Sequence, residues 1–170
     1  MHGTQAVTTA LPLLNRKGEV VGYTTLDAQD VAWAGQWTWR LSPDGYAVRS
    51  EVRDGKKLTI RLHRELLATP SGLVTDHVNG DRLDDRRSNL RAATVSQNNA
   101  NSRDRKRKSK YRGVYWHARA AKWCAQISVG GQVKHLGLFK NPEAAAAAYD
   151  EAARKTWADF ARVNHPSTTA

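Results

Sequence analysis

Short β-prone runs broken by polar turns fill most of the chain, and one sustained helical pattern lies near its C-terminal end. Residues 11–14 (LPLL) and 19–26 (EVVGYTTL) are apolar enough for strands, and residues 31–41 (VAWAGQWTWRL) carry Trp33, Trp37 and Trp39. Tryptophan spacings of four and two fit no single period, so strands with an intervening short helix over about 26–34 are expected, with the indoles in the core. In GYAVRSEVRDGKKLTIRL two β-prone runs flank Asp54-Gly55, a dipeptide suited to a primed hairpin turn. A short helix over 63–67 should end before Pro70. Further on, VTDHVNGDRLDDRRSNLRA predicts two short strands, near 74–77 and 89–92, around a polar loop in which Asn79-Gly80 turns the chain. Thr94 and Gln97 then have capping-box spacing, so a helix carrying Gln97, Asn98 and Asn99 begins there.

The remainder has a different pattern. Strands are predicted over 112–118, 122–129 and 132–138, the last two joined by Gly130-Gly131. Asn141 caps the closing helix, Pro142 occupies its first position and Glu143 complements its positive end. Alanines fill 144–148, and Tyr149, Ala153 and Trp157 recur at a spacing of four, one buried face. Cys124 is expected to be buried as a small hydrophobe. The fold class is α+β.

Composition narrows the function. The chain has 170 residues, enough for one domain or two small ones, and a formal net charge of +11. A single cysteine excludes a disulfide framework or a cysteine-rich zinc site. No apolar run is long enough to cross a bilayer, and the first residues lack the basic and apolar regions of a signal peptide. A polyanion is the expected partner, no membrane or obligate protein partner is implied, and a cytoplasmic location in a bacterial or phage-infected cell is the expectation. The charge is uneven. Residues 103–137 hold ten basic residues and one acidic, a net +9, whereas residues 71–102 hold four of each. That stretch opens with RDRKRKSKYR. Such a run alone is a solvated linker or a localisation signal, but here it continues into a folded-looking segment, which favours a binding face.

The chemistry concentrates in the middle. Asp76 and the asparagines Asn89 and Asn98 offer oxygen, which suits Mg²⁺ or Mn²⁺, and a neutral imidazole at His77 can take a proton from water near neutral pH. A divalent metal beside a phosphodiester stabilises developing charge. Taken singly, each residue is as well explained by a turn or a solvated helix end; the order and spacing of the set carry the reading. One geometric condition applies: neighbours on a regular strand face opposite ways, so Asp76 and His77 share a site only where the strand end is irregular.

The run from LHRELL through DHVNGDRLDDRRSNLRAATVSQNNAN resembles the HNH (His-Me finger, ββα-metal) endonucleases, in particular their phage and intron-encoded homing branch. The resemblance implies His77 as general base, Asp76 and Asn98 as metal ligands, and Asn89 as the central asparagine that ties the metal loop together through its backbone. The Trp-rich and GYAVRS segments resemble the leader of phage members, and His63 matches a His-Arg pair for which a structural role is expected. From residue 111, YRGV, KWCAQI, LGLF and EAAAAAYDEAA, with Asn164 and Pro166, resemble the Apetala-two/ethylene-response-factor DNA-binding domain. That resemblance implies a three-stranded antiparallel sheet packed on one helix, with the sheet facing duplex DNA. Arg112, Gly113, Arg119, Lys122, Trp123, Gln126 and Lys134 are then the contact candidates. Tyr115, Gln126 and His135 stand where plant domains have arginine, glutamate and tryptophan, so base preference does not transfer. The organisation expected is a nuclease domain over 1–102 with its catalytic core at 57–101, a basic linker over 103–110 and a DNA-binding domain over 111–166. A sequence-targeted DNA endonuclease follows. The rival is a sequence-specific DNA-binding regulator without catalysis, and RNA binding ranks below both.

Overall fold

The computed structural model describes residues 8–102 and 109–165. Most of the basic run, residues 103–108, and Pro166 lie outside them. The chain divides into two compact units, residues 1–94 and 95–170.

The first unit is built on a five-stranded sheet of order β2-β1-β3-β4-β5. β1 (Thr8–Leu14) and β2 (Val20–Asp27) form an antiparallel hairpin. β3 (Arg40–Leu41) lies parallel to β1 and antiparallel to β4 (Ala47–Arg53). β4 turns into β5 (Lys56–Arg61) through Asp54 and Gly55, both at positive φ, the backbone of the primed turn that their side chains favour. The helix expected over 26–34 is α1 (Ala28–Ala34); Leu26 stays in β2, fully buried. Leu11, Leu13, Leu26, Ala34, Trp39, Ala47, Leu62, Leu66 and Leu90 form the core. Each buried leucine contributes roughly 1.5–3 kcal/mol. Of the three tryptophans only Trp39 is fully enclosed, and its indole Nε1 donates to the Ala34 carbonyl at 2.8 Å. Trp33 and Trp37 are half-buried and stack edge to face, while the Arg49 guanidinium lies 4.6 Å over the Trp37 ring. α2 (Leu62–Leu67) follows directly, and its C-cap Ala68 adopts the left-handed conformation before Pro70. β6 (Val74–His77) and β7 (Leu90–Ala93) pair antiparallel, enclosing the loop 78–89.

That loop is fastened to the leader. Thr25 N donates to the Leu83 carbonyl at 2.8 Å, and Asp85 N donates to the Thr25 carbonyl at 2.9 Å, which extends the β2 edge by a parallel bridge. Arg87 completes the clamp. Its guanidinium meets both oxygens of Asp30, at 2.9 and 2.8 Å, and donates to the Leu66 carbonyl at 2.7 Å, while its backbone N–H donates to Asp27. Such a bidentate fork fixes geometry as well as energy.

The second unit contains α3 (Val95–Asn101), a sheet of order β10-β9-β8 and α4 (Pro142–Trp157). The strands are β8 (Val114–His117), β9 (Lys122–Val129) and β10 (Gln132–Phe139), all antiparallel. Asn141 caps α4, accepting from Ala144 N at 2.8 Å. Ala145 and Ala146 are fully buried against Val114 and Ala125: a methyl is small enough for the helix to lie on the sheet. Tyr149, Ala153 and Trp157 continue that face and pack with Ile127 and with Ala100 of α3. The expectation placed α3 with the nuclease domain; it groups instead with this second unit, and Trp157 Nε1 donates to Ser96 Oγ at 3.3 Å. Asn164 and the buried Asp150 close the unit. Asn164 accepts from Arg112 N at 2.6 Å and donates to the Arg112 carbonyl, and Asp150 accepts from the backbone N–H groups of Asn164 and His165.

Gly113 is the tightest point of this core. Its φ is +69°, and a Cβ there would sit 2.1 Å from Tyr149 Cδ2 and 2.5 Å from the Gln126 carbonyl oxygen. Gly113→Ala should therefore cost roughly 3 kcal/mol through overpacking and backbone strain combined. Calorimetry of the full chain should show the melting of the second unit lowered by on the order of 10 °C.

Candidate active site

The β6–β7 hairpin and its loop bring His77 and Asp85 into a buried region completed by Thr24, Tyr46 and His63. His77 is the last residue of β6, 4% exposed, and sits opposite Leu90. Its Nε2 lies 3.0 Å from Asp85 Oδ1, within hydrogen-bond distance. Asp85 is completely buried, and its other oxygen, Oδ2, accepts from Thr24 Oγ1 at 2.7 Å. His63, from the first turn of α2, stacks edge to face on His77 with ring centroids 5.0 Å apart, and Tyr46 lies against both imidazoles. His63, His77 and Asp85 each present a ligand atom within 4.8 Å of the others.

Asp76 precedes His77 on β6 and pairs opposite Arg91. It is buried, and its Oδ2 accepts from Arg91 Nε at 2.8 Å, its partner across the hairpin. Asn89 bridges the loop. Its Oδ1 accepts from Asn79 N at 2.9 Å and its Nδ2 donates to the Asp84 carbonyl at 2.7 Å. Asn79 in turn donates from Nδ2 to Asp84 Oδ2 at 2.8 Å, and Gly80 N donates to the His77 carbonyl at 2.8 Å, closing the turn. One buried amide thus satisfies backbone groups that would otherwise be lost from water, each worth about 1–3 kcal/mol if orphaned. Asn98 is half-buried on α3, in the second unit.

The DNA-contact candidates divide. Residues directly opposite in an antiparallel pair share a face. Trp123 packs with the helix-side cluster, and Lys134, opposite the buried Ile127, belongs to the same side. Lys122 and Gln126 alternate onto the face away from α4, with Cys124 between them. Lys122 and Arg119 are exposed and Gln126 is half-buried. Cys124 is fully buried, opposite Tyr115 and Leu138. Arg112 is 8% exposed, and its guanidinium donates to the carbonyls of Ala100, at 2.6 Å, and Ser102. It braces α3 and the segment after it, which a charge count cannot distinguish from a surface arginine. Gly113 is set by its contact with Tyr149.

Two residues of the site were missed in the sequence reading. Asp85 sat in a run of acidic and basic loop residues, and Thr24 lay 61 positions from it with no motif around it. The match of an acidic side chain eight residues after His77 was the only available signal for the former.

Comparison with known proteins agrees with this region. A family model described as an HNH endonuclease matches residues 68–100. A protein of Acanthamoeba polyphaga mimivirus, described as an uncharacterized HNH endonuclease, is 26% identical over 158 residues, covering 89% of this chain and 79% of that relative. These findings support a nuclease, a phosphodiester hydrolase. HNH nucleases typically use a divalent metal, and a histidine–aspartate cluster that could bind one is present. Among the described residues no helix is long and apolar enough to cross a membrane.

His63 gives a pH prediction. Burial, aided by His77, Arg61 and Arg64, lowers its pKa from 6.5 to about 3. The folded chain therefore keeps it neutral where the unfolded chain protonates it. Between about 6.5 and 3 the unfolded state binds the extra proton, so stability falls as pH falls, by at most about 1.4 kcal/mol per pH unit from this group. Urea unfolding between pH 7 and 4.5, above the carboxylate range, should show that slope, and His63→Gln should flatten it.

Proposed function

We propose that this protein is a sequence-targeted DNA endonuclease of the homing type. In this reading His77 is the general base that takes a proton from the attacking water, and Asn89 holds the catalytic loop in shape. Asp76 and Asn98 would hold one divalent cation, Mg²⁺ or Mn²⁺. The donor set fits such an ion: a buried carboxylate and an amide oxygen, both hard ligands. Asp76 has Arg91 as an ion-pair partner through Oδ2, and a carboxylate can serve a guanidinium and a cation together. When bound, the cation supplies stabilisation of charge on the phosphate and on the leaving 3′ oxygen. The observation that carries the proposal is a buried histidine on a carboxylate, at the mouth of a loop pinned by a buried asparagine, all within the segment matched by the HNH model.

Targeting is assigned to the second unit, as an Apetala-two/ethylene-response-factor type domain. Phosphates carry no sequence, so a catalytic centre that reads them needs a separate element for recognition. A basic sheet can enter the major groove, and Arg119 and Lys122 are the exposed cations of this one best placed on or beside its open face.

Supercoiled plasmid tests the chemistry. EDTA should stop cleavage, Mg²⁺ or Mn²⁺ should restore it, and His77→Ala should lower the rate by about 10²–10⁴ with DNA affinity nearly unchanged. Tight, site-preferring binding without cutting in Mg²⁺ or Mn²⁺ would favour the non-catalytic regulator.

Targeting is tested by salt. Fluorescence anisotropy of the full chain on duplex DNA should show affinity falling steeply as salt rises. Arg119→Ala and Lys122→Ala should each reduce the slope of log K against log salt by about 0.9 if each meets a phosphate. Arg112→Ala should act differently, lowering the melting temperature of the second unit.

A further inference from the structure

The His77–Asp85–Thr24 chain assigns a role to two further residues, Asp85 within the matched segment and Thr24 outside it. We propose that Asp85 is the positioning residue of the catalytic histidine, held by Thr24 of the leader strand β2. The inference rests on His77 acting as the base.

The chemistry follows from the atoms. A neutral imidazole carries one proton. Asp85 Oδ1 is 3.0 Å from His77 Nε2 and a carboxylate only accepts, so that nitrogen holds the proton and the lone pair is left on Nδ1. When His77 acts as base, the imidazolium keeps its Nε2–H on the carboxylate, so the charge created in the step is stabilised where it forms. Orientation matters as much as tautomer, since a hydrogen bond to one side of the ring fixes the direction of the other.

Asp85 is itself held from two directions. Its Oδ2 accepts from Thr24 Oγ1 at 2.7 Å, a hydroxyl also 2.9 Å from the Leu83 carbonyl, and its backbone N–H is bonded to Thr25. Thr24 and Asp85 are both completely buried. A carboxylate with no solvent contact keeps one arrangement, because any rotation would orphan a polar group at a cost of about 1–3 kcal/mol. The leader sheet therefore sets the geometry of the base from outside the hairpin that carries it.

The first experiment reads the ring directly, on the full chain without DNA or metal. Selective ¹⁵N-histidine labelling gives the protonation of each ring nitrogen, with His77 assigned by its loss in His77→Gln. At pH 8 the expected result is protonated Nε2 and unprotonated Nδ1; the opposite tautomer, or an even mixture, overturns the proposal. Asp85→Ala should shift His77 to a mixture and lower kcat by roughly 10- to 100-fold, with the KM for DNA unmoved; unchanged kcat and tautomer overturn it. Should Asp85→Ala fail to fold, Thr24→Val removes only the hydroxyl, and a smaller drop in kcat with the same tautomer drift is expected; no change in either overturns the part given to Thr24. These outcomes are separable from failure of the base assignment, which would appear as wild-type cleavage by His77→Ala while the nitrogen spectrum stays as expected.

Discussion

The edge pairing between Thr25 of β2 and the segment Leu83–Asp85 is the constraint on which the first unit turns. A twelve-residue polar loop has no core of its own and too little apolar area to fold by collapse. Two backbone hydrogen bonds tie it to the edge of the leader sheet through an isolated parallel bridge, and the Arg87–Asp30 fork anchors its far end. With both ends fixed, the buried Asn89 needs only to bridge the middle. The Trp-rich leader thereby becomes the floor on which the histidine is mounted.

Charge is spent in two ways in this chain. Around the loop, acidic and basic residues are matched almost one for one, with Arg86 on Asp84, Arg87 on Asp30 and Arg91 on Asp76. The half-exposed pairs among them contribute little stability each; their use is to hold direction. In the second unit the cations greatly outnumber the acids, yet not all of them face outward. Arg112 is consumed by backbone carbonyls, whereas Lys134, on the helix side of the sheet, stays exposed. The charge available to a polyanion is therefore smaller than the count for residues 103–137.

Local elements were legible where one or two residues decide the backbone. Asp54-Gly55 fixed the primed hairpin, Asn141-Pro142 marked the start of α4, and the alanine run with Tyr149, Ala153 and Trp157 gave its buried face. The HNH segment could be picked out because its residues are close in sequence. What could not be read depends on contacts between distant positions. Thr24 meets Asp85 across 61 residues, and Arg112 caps a segment ten to twelve residues upstream that no period announces. The allegiance of α3 is of the same kind: Ala100 is buried by Ile127 and Trp157, whereas its capping residues only say that a helix begins. Alternation along β6 was legible as a difficulty, and Asp76 bonds Arg91 where His77 bonds Asp85.

The packing of α3 bears on how such proteins could exchange parts. A recombination joint in the basic stretch, the obvious place for a linker, would cut Ala100 from the core that buries it and Arg112 from the carbonyls it braces. The seam that leaves both cores whole falls between Thr94 and Val95. A module swapped there would bring its own α3, and with it the residue at position 98. An exchange at that seam would carry the helix together with the sheet and α4 that bury it, so the three would be inherited as one piece.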